Sequence, residues 1–73
     1  MRIIQDGEGR SWDVVVGRGS WGALVILFSL RGANENRTAD LASETVRQAE
    51  QEVAALSDDE LRVRLGESRP WEG

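Results

Sequence analysis

Residues 23–31 read Ala-Leu-Val-Ile-Leu-Phe-Ser-Leu-Arg, and this stretch decides the fold. Nine residues suit a strand and are short for a buried helix. In a strand, alternate side chains take opposite faces. Leu24, Ile26, Phe28 and Leu30 then point one way, and Ala23, Val25, Leu27 and Ser29 the other. Both sets are largely apolar, the mark of a central strand with something on each face. The unbroken apolar or small run Trp21–Leu30 is also far short of the ~20 residues a membrane-spanning helix needs.

Upstream lies a glycine-rich connection, Gly17–Gly22, and before it Ser11–Val16, with Trp12, Val14 and Val16 on one side and Ser11, Asp13 and Val15 on the other. Asp6-Gly7-Glu8-Gly9-Arg10 is a hairpin signal. Asp at the first position and Gly at the fourth fit a type I turn closed by a left-handed Gly. In that register Asp6 opposes Arg10, and Ile4, from the short segment Met1–Asp6, opposes Trp12. Such an aromatic–aliphatic pair across strands contributes about 0.2–1 kcal/mol.

Downstream, Gly32–Asn36 is a second turn. Arg37–Leu41 reads as a fourth, weak strand, or as the first turn of a helix capped by Asn36 or Thr38; the strand is the preferred reading. Ser43 caps a helix running to about Leu56, with the stripe Ala42, Val46, Ala49, Val53 and Leu56 facing the core. Ser57-Asp58-Asp59-Glu60 fits a capping box, opening a shorter helix that carries Leu61 and Leu65 and stops at Gly66. The expected architecture is α+β: a three- or four-stranded antiparallel meander, then one longer and one shorter helix packed on one face. Residues 1–66 form that single domain, and 67–73, with Pro70 and Trp71, form an irregular C-terminal tail.

Composition prunes the chemistry. The chain has no Cys and no His, which removes disulfides, the commonest zinc ligands, the Ser-His-Asp triad and the cysteine nucleophile. It has no Lys, so Schiff-base and P-loop lysine chemistry are out. The expectation is a non-enzymatic role with no cofactor and no metal. Gly17, Gly19 and Gly22 do spell G-x-G-x-x-G after a strand, with Asp40 downstream where a ribose-binding acid belongs. The residues after Gly22 are strand-like rather than helical, so a plain glycine connection is the better reading. Asp58, Asp59 and Glu60 read as capping residues, not as a cation site.

The net charge is −4 and unevenly placed. Residues 1–37 hold five Arg against four acids, and residues 38–73 hold four Arg against nine acids. The acidic half repels phosphate backbones, which disfavours nucleic acid as a partner. The N-terminus lacks a signal-peptide layout, so the cytoplasm is the expected compartment and no membrane partner is expected.

The sheet offers the functional lead. One face, with Ile4, Trp12, Val14, Val16, Ile26 and Phe28, can be covered by the helices. The other, with Ile3, Val15, Val25 and Leu27, has no second helical layer to cover it, and exposed apolar area of that kind marks interfaces. The expectation is a protein-binding module, an accessory or regulatory subunit, docking a protein partner or a second copy as a homodimer. The partner-binding residues would be Ile3, Val15, Arg18, Trp21, Val25, Leu27 and Trp71, since exposed Arg and Trp are enriched at hot spots. The alternative is a nucleic-acid- or nucleotide-binding factor using Arg2, Arg10, Arg18 and Arg31 with Trp12 or Trp21 as a stacking platform.

The string D-x-x-G-R-x-W-x-V-V-V-G-R-x-S-W-G, here Asp6 to Gly22, resembles one in a group of small uncharacterised bacterial proteins. Leu56–Leu61 (L-S-D-D-E-L) and Ser68–Trp71 (S-R-P-W) resemble the same group. The likeness spans most of the chain. It implies a strand for Arg37–Leu41 and brings no activity, cofactor or partner.

Overall fold

The computed structural model describes residues 2–19 and 22–71. One antiparallel sheet holds β1 (Arg2–Gln5), β2 (Ser11–Arg18), β3 (Leu24–Leu30), β4 (Asn36–Asp40) and β5 (Arg69–Pro70), side by side in chain order. Helices α1 (Val46–Ala55) and α2 (Asp58–Gly66) come between β4 and β5 and cover one face. This is the α+β meander the sequence implies, with a fifth strand added.

The first hairpin is fixed by Asp6. Gly9 takes φ 81°, a left-handed value at which a Cβ would be strained, and its N–H donates to the Asp6 carbonyl at 3.1 Å. The Asp6 carboxylate accepts from the Glu8 and Arg10 amides at 2.8 and 3.0 Å, from Arg10 Nε at 2.9 Å and from Trp12 Nε1 at 2.9 Å. The indole N–H, above all, holds the Asp6 carboxyl well below the usual carboxylate range, and the Arg10 and Glu8 amides add to this against the opposing effect of burial. Ile4 pairs with Trp12, as expected.

The core lies between the sheet and the two helices. Ile4, Trp12, Val14, Ile26 and Phe28 come from the sheet, Ala49 and Val53 from α1, and Leu61 and Leu65 from α2, all buried. Ile26 sits between Val16 on β2 and Ala39 on β4, and Phe28 between Val14 and Arg37. The strand reading of the fourth segment holds. Two arginines fasten the helices to the sheet. Arg2 donates to the Val53 carbonyl at 2.9 Å and pairs with Asp58 at 3.0 Å. Arg62 Nε donates to the Gln5 carbonyl at 2.6 Å.

Three boundaries differ from the sequence reading. First, β2 runs on through Gly17 and Arg18, which pair with Val25 and Leu24. Gly17 is extended here because β3 supplies a full ladder beside it. Second, α1 starts at Val46, and Thr45 rather than Ser43 is its cap, accepting from the Gln48 amide at 3.1 Å. The Ser43 hydroxyl instead donates to Glu52 at 2.6 Å. Ala42 therefore lies outside the helix, and Val46 stays exposed.

Third, the tail is not irregular throughout. Arg69 and Pro70 pair with Thr38 and Arg37. Arg37 donates from Nε to the Ser68 hydroxyl at 2.8 Å and from Nη2 to the Ser68 carbonyl at 2.6 Å. Arg69 pairs with Asp40 at 2.8 Å. A charged donor with several hydrogen bonds to one residue offsets the entropy of ordering a short tail, so residues 67–71 belong to the domain.

Candidate protein-binding surface

Side chains on β1–β4 alternate between the helix side and an outer side that neither α1 nor α2 covers. The outer side is striped rather than uniformly apolar. Ile3 and Val15 are 44% and 38% exposed, and half-buried Leu27 stands directly across from Val15. Around them lie Gln5, Ser11, Asp13, Ser29, Asn36 and Asp40. Arg31 pairs with Asp13 at 3.0 Å, and the Ser29 hydroxyl donates to Asn36 Oδ1 at 2.8 Å. Ile3, Val15 and Leu27 are therefore brought together as one apolar strip with a polar surround, the ordinary anatomy of a protein–protein contact.

The other expected contact residues fall elsewhere. Val25 shares the outer side but is only 2% exposed, so it presents no surface. The reason is local: a Cβ at Gly19 would stand 3.3 Å from Val25 Cγ1, so the backbone leaving β2 lies against that side chain. Arg18 is exposed but sits on the helix side, paired with Leu24, and its Nη1 donates to the Gly22 carbonyl at 3.2 Å. Trp71 is 39% exposed, and its amide donates to the Asn36 carbonyl at 3.0 Å. That places it beyond β4, roughly 19 Å from β1 at ~4.8 Å per strand. Trp21 lies outside the described residues.

The residues of the nucleic-acid alternative are engaged differently. Trp12 is 2% exposed, with its indole N–H spent on Asp6, and offers no face for a base. Arg2, Arg10 and Arg31 pair with Asp58, Asp6 and Asp13. The acidic triplet at the start of α2 is occupied likewise. Ser57 and Glu60 form the capping box, at 3.1 and 2.9 Å. Asp58 pairs with Arg2, and Asp59 with Arg62 at 2.6 Å. Gly22 leads into β3 and not a helix, so the glycine motif has no helix N-terminus on which to seat a pyrophosphate.

The sequence reading missed a groove at the rim of the sheet. β1 reaches Arg2, opposite Val14, whereas β2 continues four residues further to Arg18. Beside this overhang is a groove of about 550 Å³ lined by Arg2, Val15, Val16, Glu50, Val53 and Ala54 among others. The hairpin register contained the signal: with Ile4 opposite Trp12, a short first strand leaves the far end of a longer second one overhanging. Among the described residues, no helix is long and apolar enough to cross a membrane. No protein-family model, curated protein or solved structure matches this chain.

Proposed function

We propose that this chain is a non-enzymatic protein-binding module, an accessory or regulatory subunit that docks a partner protein through the outer side of its sheet. One observation carries the reading. Both helices pack on a single side, and Ile3 and Val15 remain 44% and 38% exposed on the other, next to Leu27. β-Branched side chains at that exposure lose little by staying in water singly, but gathered on a rigid sheet they form a preorganised patch. The non-enzymatic part rests on a sequence without Cys, His, Lys or Tyr and on the engagement of Asp6, Asp13, Asp58, Asp59 and Glu60 in ion pairs and a helix cap.

The test is affinity capture from the source cell, with the full chain compared to Ile3→Asp and Val15→Asp. Both side chains are exposed, so the variants should keep their fold. Loss of the same specific partner from both supports the docking face. Capture of an unchanged set of proteins by both overturns it.

A further inference from the structure

We infer that Asp6–Gly7 is a covalent modification site guarded by the folded hairpin: the aspartyl bond isomerises only from the opened hairpin, and the isomerised chain cannot close it again. The site lies in the turn between β1 and β2 and is independent of the outer docking face.

The chemistry is that of an aspartate followed by glycine. The Gly7 nitrogen attacks Asp6 Cγ, a C–N bond forms, and one carboxyl oxygen leaves as water. Water then opens the cyclic succinimide at either carbonyl. Opening at the former main-chain carbonyl leaves the chain running through the side chain, as isoaspartate. Water is the only co-reactant. A side chain on the following residue hinders the attack, and Asp6 is the one Asp in the sequence with Gly after it. Asp13, Asp40, Asp58 and Asp59 precede Val14, Leu41, Asp59 and Glu60.

The turn leaves the attacking atom free and withholds the carbon it must reach. Gly7 is exposed, a Cβ there would meet nothing within 4 Å, and its amide donates to no acceptor among the described residues. Nothing around Gly7 therefore bars the ring. The Asp6 carboxylate, in contrast, is held by four donors. Oδ1 accepts from the Glu8 and Arg10 amides, and Oδ2 from Arg10 Nε and Trp12 Nε1. Bonds to both oxygens fix the side-chain torsions, so Cγ is not free to swing onto the Gly7 nitrogen. They also favour the ionised form, whereas an oxygen leaves as water only after taking up a proton. The main chain is fixed as well: the Asp6 amide donates to the Arg10 carbonyl at 2.9 Å, and the Gly9 amide to the Asp6 carbonyl at 3.1 Å. Ring closure thus needs the hairpin open.

Isomerisation also removes the way back. It lengthens the main chain by one methylene and turns the Asp6 carbonyl, the acceptor for Gly9, into a carboxylate. The old side-chain carbon becomes the peptide carbonyl to Gly7, and one of its two oxygens is gone. The donors of Arg10 and Trp12 then lose their shared acceptor. Trp12 is 2% exposed, and a buried indole N–H without a partner is costly.

The experiment is incubation of the full chain at neutral pH, native and unfolded in urea, with isoaspartate at Asp6 followed by peptide mapping and mass spectrometry. The unfolded chain should isomerise at least about tenfold faster than the native one, because a locally opening hairpin exposes the bond only part of the time. Trp12→Phe removes one of the donors to Asp6. Under native conditions it should isomerise faster than the parent, in step with faster exchange of the Asp6 and Gly9 amides. The purified isoaspartyl chain should melt lower than the parent and lose slow exchange at those amides. Equal rates in the native and unfolded chains, a Trp12→Phe variant no faster than the parent, or an isoaspartyl chain that melts like the parent would each overturn the inference. If Trp12→Phe unfolds, the comparison of native with unfolded parent and the melt of the isoaspartyl chain decide.

Discussion

Replacing Trp12 by Phe removes the indole N–H and part of a side chain that is only 2% exposed. The vacated volume and the lost hydrogen bond together cost about 2–4 kcal/mol. At about 0.05–0.15 kcal/mol per residue, a chain of 73 residues has roughly 4–11 kcal/mol to lose. The variant should therefore fold but melt roughly 8–30 °C lower. It should also change the response to acid. The folded carboxyl of Asp6 titrates below its usual range, chiefly because Trp12 Nε1 donates to it. The stabilisation from Asp6 is thus complete above the unfolded value near ~3.9 and is lost as pH falls through the lower folded value. In Trp12→Phe the Asp6 pKa should rise toward the ordinary value, though not fully, because the Glu8 and Arg10 amides still donate. The assay is a carboxyl-carbon NMR titration of Asp6 in both proteins, alongside thermal melts. An unmoved Asp6 titration with a full loss of melting temperature would show that Trp12 acts by volume alone, and would refute the hydrogen-bond account of the hairpin.

Leu61→Ala empties a fully buried position on α2 and should cost about 2–5 kcal/mol, read as a lower urea midpoint. Val63→Ala on the same helix, at 61% exposure, should stay within about 0.5 kcal/mol; equal losses would contradict the placement of α2. Arg37→Ala removes both bonds to Ser68. It should speed exchange of the Trp71 amide at least about tenfold while leaving β2–β3 amides nearly as slow as before, because the tail opens locally. A uniform acceleration across the sheet would instead make Arg37 a support of the global fold.

Much of the fold was legible because its signals are local. The Asp6–Arg10 hairpin, the Ser57–Glu60 capping box and the two-sided strand at 23–31 each depend on residues within a few positions of one another. The docking strip was partly legible by the same rule: strand periodicity puts Ile3, Val15 and Leu27 on one side. Periodicity also put Val25 there, correctly, but could not see the chain at Gly19 lying against it. The Ser43 misassignment has a similar origin. Ser43 and Thr45 are both capping types, and the choice fell to Thr45 because Glu52, nine residues on, engages the Ser43 hydroxyl.

By itself, then, the sequence determined which segments are strands and helices, the order in which they occur, and which side chains share a face, since all of these come from backbone geometry repeated every two or 3.6 residues. Only the tertiary structure decided that Arg69 and Pro70 would become a fifth strand and that Arg2 would tie β1 to α1. Each of those outcomes depends on groups brought together from distant parts of the chain, such as Arg37 with Ser68 and Arg2 with Val53. No local pattern encodes such meetings, because the entropy of closing the intervening loops is offset only when the whole core assembles.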